Sequence, residues 1–148
     1  ASSLGRGIHF PADEIRSMGL RAIGVNVMDL DDEEDDAVVG AFRGHNVRQV
    51  AVLTEEGYGK RVPFEEFRQQ GRAGAGMQLL RLNPGDRVAG VAPVSPSDDV
   101  VVTTSRGRVH RRPAGDFELM GRPAKGNRVM ETSDDEAILE FARLPCSG

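Results

Sequence analysis

Seventeen arginines and two lysines are the residues of this 148-residue chain best suited to chemistry, and some of the arginines fall at recurring loop positions. A guanidinium is a rigid fork of donors that matches phosphate oxygens two at a time. Three loops, 19–24, 71–76 and 121–126, share the form Gly-x-x-x-x-Gly and carry Arg21, Arg72, Arg122 and Lys125. Glycine lets backbone approach a phosphate closely, and the basic residue supplies the charge. A second basic set follows a tight glycine turn: Arg6 and His9, then Lys60 and Arg61, then Arg106, Arg108, His110, Arg111 and Arg112. The candidate phosphate-binding set is therefore Arg6, His9, Arg21, Lys60, Arg61, Arg72, Arg106, Arg108, Arg111, Arg112, Arg122, Lys125 and Arg128. The competing reading is structural. The glycines then only make turns, and charges along an edge strand only resist aggregation.

Other chemistries find less support. Residues 29–36 hold seven carboxylates, but without the spacing or the glycine of a calcium-binding loop, so they read as a solvated acidic loop. Tyr58 lies between two glycines in a turn, with no general acid nearby, which disfavours a cleaving nucleophile. His9, His45 and His110 form no spaced ligand set, and no Ser/His/Asp arrangement can be assigned. No catalytic residue, cofactor or metal is expected. A single cysteine, Cys146, excludes an internal disulfide and suits a reducing, cytoplasmic setting. No apolar run approaches the roughly 18–20 residues that span a bilayer.

The net charge of −4 argues against a polyanionic partner until its distribution is considered. Removing the seven acids of 29–36 leaves 19 − (23 − 7) = +3, and residues 104–128 carry seven bases against two acids. One face can therefore attract phosphate while the chain as a whole stays acidic.

These residues must be positioned by a repeat. Residues 51–77 align with 101–127 without a gap, with nine identities in 27 pairs, where chance gives about two. Residues 5–25 align with 57–77 with seven identities in 21. Gly5/Gly57/Gly107, Pro11/Pro63/Pro113, Gly19/Gly71/Gly121 and Gly24/Gly76/Gly126 agree in all three copies. The second copy reads as strands 50–54, 60–62, 77–82 and 87–94, with a helical turn after Pro63 that plugs Phe67 into the core. The third reads as 100–104, 108–112, 127–132 and 137–143. Four short strands in about 50 residues is the cadence of a propeller-like blade. The fold expected is all-β, a propeller-like array of three blades at 1–46, 47–98 and 99–148. The first copy has no counterpart of strand 50–54, so the chain is expected to begin inside a blade of a longer array. That open edge should be covered by another molecule or by strand 137–143.

The phrases at 15–25 (IRSMGLRAIGV), 53–61 (LTEEGYGKR) and 104–109 (TSRGRV) resemble the C-terminal domain of the DNA gyrase A subunit, and less closely the A-type subunit of topoisomerase IV. The resemblance covers nearly the whole chain. It implies a β-pinwheel whose neighbouring four-stranded blades exchange strands, with duplex DNA bent or wrapped around a basic rim. It also implies a parent ATP-dependent type IIA topoisomerase, whose partners are the rest of gyrase A and the gyrase B subunit. The family's hallmark box, Gln-Arg-Arg-Gly-Gly-Lys-Gly, is not intact. Residues 70–76 match it at Gln70, Arg72, Gly74 and Gly76, and residues 120–126 at Arg122, Lys125 and Gly126. Supercoiling is thus not assigned to this chain alone. The function expected is sequence-nonspecific DNA binding, and the alternative is a propeller-like protein-interaction module.

Overall fold

The computed structural model describes residues 1–146. Nine strands and three 3-10 turns follow one another: β1 Arg6–Gly7, β2 Gln49–Thr54, β3 Tyr58–Pro63, β4 Met77–Gln78, β5 Val88–Val94, β6 Asp99–Thr104, β7 Val109–Pro113, β8 Asn127–Arg128 and β9 Ile138–Leu144. The architecture is all-β, as the turn density implies.

The 50-residue register survives as backbone geometry. Pro11, Pro63 and Pro113 each start a 3-10 turn at φ near −60°, and the turns end at Ile15, Phe67 and Phe117. Proline presets that φ, so the same residue makes the same corner in every blade. The ladders between β2 and β5 and between β6 and β9 both slip at the repeat-equivalent positions Leu53/Thr54 and Thr103/Thr104.

β2 reads as an unbroken apolar run because both its faces are buried. Ala51 and Leu53 face a cluster with Val100, Val102, Phe117, Ile138 and Phe141 of the third repeat. Val52 faces the opposite cluster, with Val62, Phe67, Leu79, Leu80 and Val88. Period-2 alternation along one strand thus joins two layers of core.

The sheets do not coincide with the repeats. The second blade is ordered β5-β2-β3-β8, so its fourth strand comes from the third repeat. In the same way β4 of the second repeat pairs with β1 of the first, Arg6 opposite Gln78. Among the described residues the third blade holds three strands, β7-β6-β9. Strands 77–82 and 127–132 shrink to two residues each, because each only reaches across to the preceding blade. In the first blade the missing strand is represented by Ser2, bridged to Val38, and by the Ala1 ammonium donating to the Gly40 carbonyl at 2.8 Å. β9 pairs with β6 along its length, which corrects the expectation that strand 137–143 covers the first blade's edge.

Candidate nucleic-acid interface

Most of the recurrent cations are spent on joints between blades. In β3, Lys60 is fully buried, and its ammonium donates to the carbonyls of Gly121, Arg122 and Ala124, each at 2.7 Å. Burial pushes it down to about 8, against the pull of the Glu66 carboxylate. Three carbonyls match three ammonium protons, so the charged form is the one that fits. Lys60 therefore leaves the phosphate-binding set: no proton of its ammonium faces solvent.

The neighbouring positions behave alike. Arg61 Nε donates to the Phe117 carbonyl at 2.6 Å, and the imidazole Nδ1 of its counterpart His9 lies 3.0 Å from the Phe67 carbonyl oxygen. Arg72 and Arg122, one per glycine loop, reach back to the preceding blade. Arg122 donates to the Gln78 carbonyl and Arg72 to that of Asn26, while their backbone N–H groups donate to Glu66 and Glu14. Arg6 Nε donates to the Ala75 carbonyl at 2.6 Å. Those loops need glycine at the end. Gly126 has φ +90°, and a Cβ there would sit 2.6 Å from the Gly59 carbonyl oxygen.

In the third blade the equivalent cations turn to acids. Arg106 pairs with Asp135, Arg108 with Glu136 at 2.9 Å, and Arg111 with Asp99. Glu136, Asp86 and Asp36 occupy one repeat position, and Asp36, the last residue of the acidic run 29–36, is thereby a turn anchor and not part of a solvated loop. Asp86 accepts the N–H groups of Glu56 and Arg87, Asp36 those of Leu4 and Ala37, and Glu136 the Thr104 hydroxyl. Each acid pins the turn between the first two strands of its blade. The signal is present at spacings of 50, but two of these residues lie at the end of acidic or turn segments and a third is Glu rather than Asp.

What remains exposed and cationic overlaps the expected set only in part, sharing Arg21 and Arg112 with it. Arg16 and Arg68 fall at equivalent positions, each one residue after the 3-10 turn, and both are exposed. Neither side chain has a hydrogen-bond or ion-pair partner among the described residues, and the same holds for Arg21, Arg43, Arg48, Arg81 and the half-buried Arg112. The joint between the second and third blades adds a mixed patch. Lys125 Nζ and the Arg128 guanidinium each lie 4.7 Å from the centre of the Tyr58 ring, and Arg128 also donates to the tyrosine hydroxyl at 3.1 Å. That bond, with the two nearby cations, holds the Tyr58 phenol below its ordinary value. At the joint between the first and second blades the corresponding groove is lined by Asp29, Asp31, Asp32 and Glu33 beside Arg6 and Arg81. Arg87 ties that acidic loop down through the carbonyls of Glu34 and Asp35, both at 2.8 Å. Acid and base are thus held at different joints, and the basic one carries an aromatic ring.

The comparisons with known proteins run along the same repeat. A family model described as the DNA gyrase C-terminal domain, β-propeller, matches residues 1–43, 48–95 and 98–144. The DNA gyrase A subunit of Kosmotoga olearia is 39% identical over 141 residues, covering 93% of this chain and 17% of that protein. That of Chlamydia pneumoniae is 31% identical over 142 residues, 95% of this chain and again 17% of its own. The chain thus spans about a sixth of the length of these relatives. Among solved structures, a DNA gyrase A C-terminal domain superposes with a TM-score of 0.88 at 22% identity, covering 97% of this chain and 49% of that one. The C-terminal domain of a DNA topoisomerase IV superposes at 0.83 and 23%, covering 96% and 44%.

Proposed function

The chain belongs to the DNA gyrase C-terminal domain family, and from that premise we propose that it binds duplex DNA through exposed arginines and bends it across successive blades. The observation that carries this reading is the set of unpartnered arginines led by Arg16 and Arg68, one on each of two neighbouring blades. Repeating a cation at one blade position presents charge at regular intervals, which suits a polymer of phosphates. The Tyr58–Lys125–Arg128 patch supplies further positive charge at the next joint. Contacts of this kind go to the backbone, so the binding carries little sequence preference. Bending would favour deformable duplexes. In the larger protein the domain would serve the DNA handling of a gyrase A subunit, beside gyrase B in an ATP-dependent type IIA topoisomerase.

The test separates exposed cations from joint cations. Arg16→Ala with Arg68→Ala should weaken duplex binding roughly tenfold or more for all sequences, with an unchanged unfolding midpoint. Unaltered DNA affinity in that folded double variant would instead favour the protein-interaction reading.

A further inference from the structure

The two joints inside the chain carry different side chains at equivalent positions. Each pairs a two-residue strand with the return strand of the preceding blade, β4 on β1 and β8 on β3. Arg6 stands opposite Gln78 at the first joint, and Tyr58 opposite Arg128 at the second. Just before the closing glycine of the loop, the first joint has Ala75 and the second Lys125. The neighbouring turn differs as well. Asp31-Asp32-Glu33-Glu34-Asp35 precedes Asp36, whereas the uncharged Asn83-Pro84-Gly85 precedes Asp86. The first groove is therefore lined by carboxylates, and the second joint joins two cations to a ring.

Two cations that share one ring, each 4.7 Å from its centre, repel one another. The tyrosine offsets that repulsion. Its π face attracts a cation, and its hydroxyl accepts a hydrogen bond from the Arg128 guanidinium at 3.1 Å. Glu56 and Glu131 lie near Arg128. None of the ion pairs among the described residues involves Lys125 or Arg128, however, so both cations keep donors for an anion.

We propose that Tyr58 positions Lys125 and Arg128 as a seat for the phosphate backbone of duplex DNA at the joint between the second and third blades. The inference rests on the duplex-binding reading above and adds to it a residue that carries no charge. A phosphate between the two cations takes donors from both and relieves their repulsion. The first joint offers no such seat, because its carboxylates repel a polyanion. The duplex is therefore held unevenly along the chain, more tightly at the second joint than at the first.

Tyr58 is the one tyrosine of the chain, so protein with ring-labelled tyrosine gives a single set of ring signals by NMR. Those signals should shift as a short duplex of mixed sequence is titrated in, and return as salt releases it. Lys125→Ala with Arg128→Ala should flatten the salt slope of binding by about two. Tyr58→Leu keeps both charges and should bind roughly fivefold more weakly, with an unchanged urea midpoint, while Tyr58→Phe restores most of the loss. In the Lys125→Ala, Arg128→Ala background, Tyr58→Leu should cost nothing further, which a merely structural tyrosine would not show. Ring signals that stay fixed at saturating duplex overturn the proposal without need of any variant. A wild-type slope in the Lys125/Arg128 variant, or a Tyr58→Leu that binds as wild type or loses as much in both backgrounds, overturns it too. If Arg16→Ala with Arg68→Ala still weakens binding, those results leave the duplex-binding reading standing; binding that ignores salt sinks both.

Discussion

The Lys60 ammonium lies 2.7 Å from the carbonyl oxygen of Arg122, so one cation of this chain grips the backbone of another across a blade joint. Both belong to motifs that look equally suited to phosphate. Both are instead fasteners of the joint between the second and third blades.

Lys60→Met should therefore damage the fold. Three carbonyls lose their partner at once, and an unsatisfied buried polar group costs about 1–3 kcal/mol. The expected loss is about 3 kcal/mol in urea unfolding, whereas Arg68→Ala on the surface should stay within about 0.5 kcal/mol. Equal effects in the two variants would contradict the assignment of roles.

The same lysine makes stability depend on pH. Its folded value, about 8, lies below the ordinary lysine value, so between the two the unfolded chain binds more protons. The ammonium therefore penalises the fold below about 8, and the penalty is relieved as pH rises from there towards the unfolded value near 10.4. The stability gap between wild type and Lys60→Met should widen over that window. A gap that is flat with pH would show that Lys60 titrates normally.

Sequence reading goes furthest where the chain repeats. Pro63, Pro113, Gly76 and Gly126 mark one register, and that register sets the blade cadence. It misleads at the ligands. Recurrence picks out residues that a blade joint uses: Arg61, Arg72 and Arg122 are legible from the repeat, but their distant carbonyl partners in the neighbouring repeat are not. Strand exchange between blades follows from the family resemblance alone, since two-residue strands such as β4 and β8 leave no periodicity. Arg16 and Arg68 are visible as an identity in the alignment, yet only exposure and the absence of a partner among the described residues separate them from the rest.

Gly126→Ala tests the joint from its loop. Left-handed backbone costs an alanine about 1–2 kcal/mol, and the added Cβ meets the Gly59 carbonyl oxygen at 2.6 Å. A loss of more than about 2 kcal/mol is expected, against less than about 1 kcal/mol for Gly71→Ala, which meets nothing and has no positive φ. Equal losses would mean the loop does not approach the preceding blade so closely.

Asp98 supplies the acid-side dependence. Burial alone would raise its carboxyl, but the N–H groups of Ser95 and Cys146 and the Arg143 guanidinium hold it below the ordinary value. A lowered acid stabilises the fold above its unfolded value near 4, and that contribution is lost as pH falls through the folded value. Asp98→Asn should reduce stability at neutral pH and flatten its decline below about pH 4. An unchanged acid limb would refute this anchor.

The claim that exposed arginines bind the phosphate backbone is tested most directly by the salt dependence of duplex binding. About six contacts should give a slope near −5 in log K against log salt, an affinity loss of about 10³-fold between about 50 and 200 mM. Arg16→Ala with Arg68→Ala should reduce that slope by about two. Binding that does not change with salt, or a double variant with the wild-type slope, would contradict it.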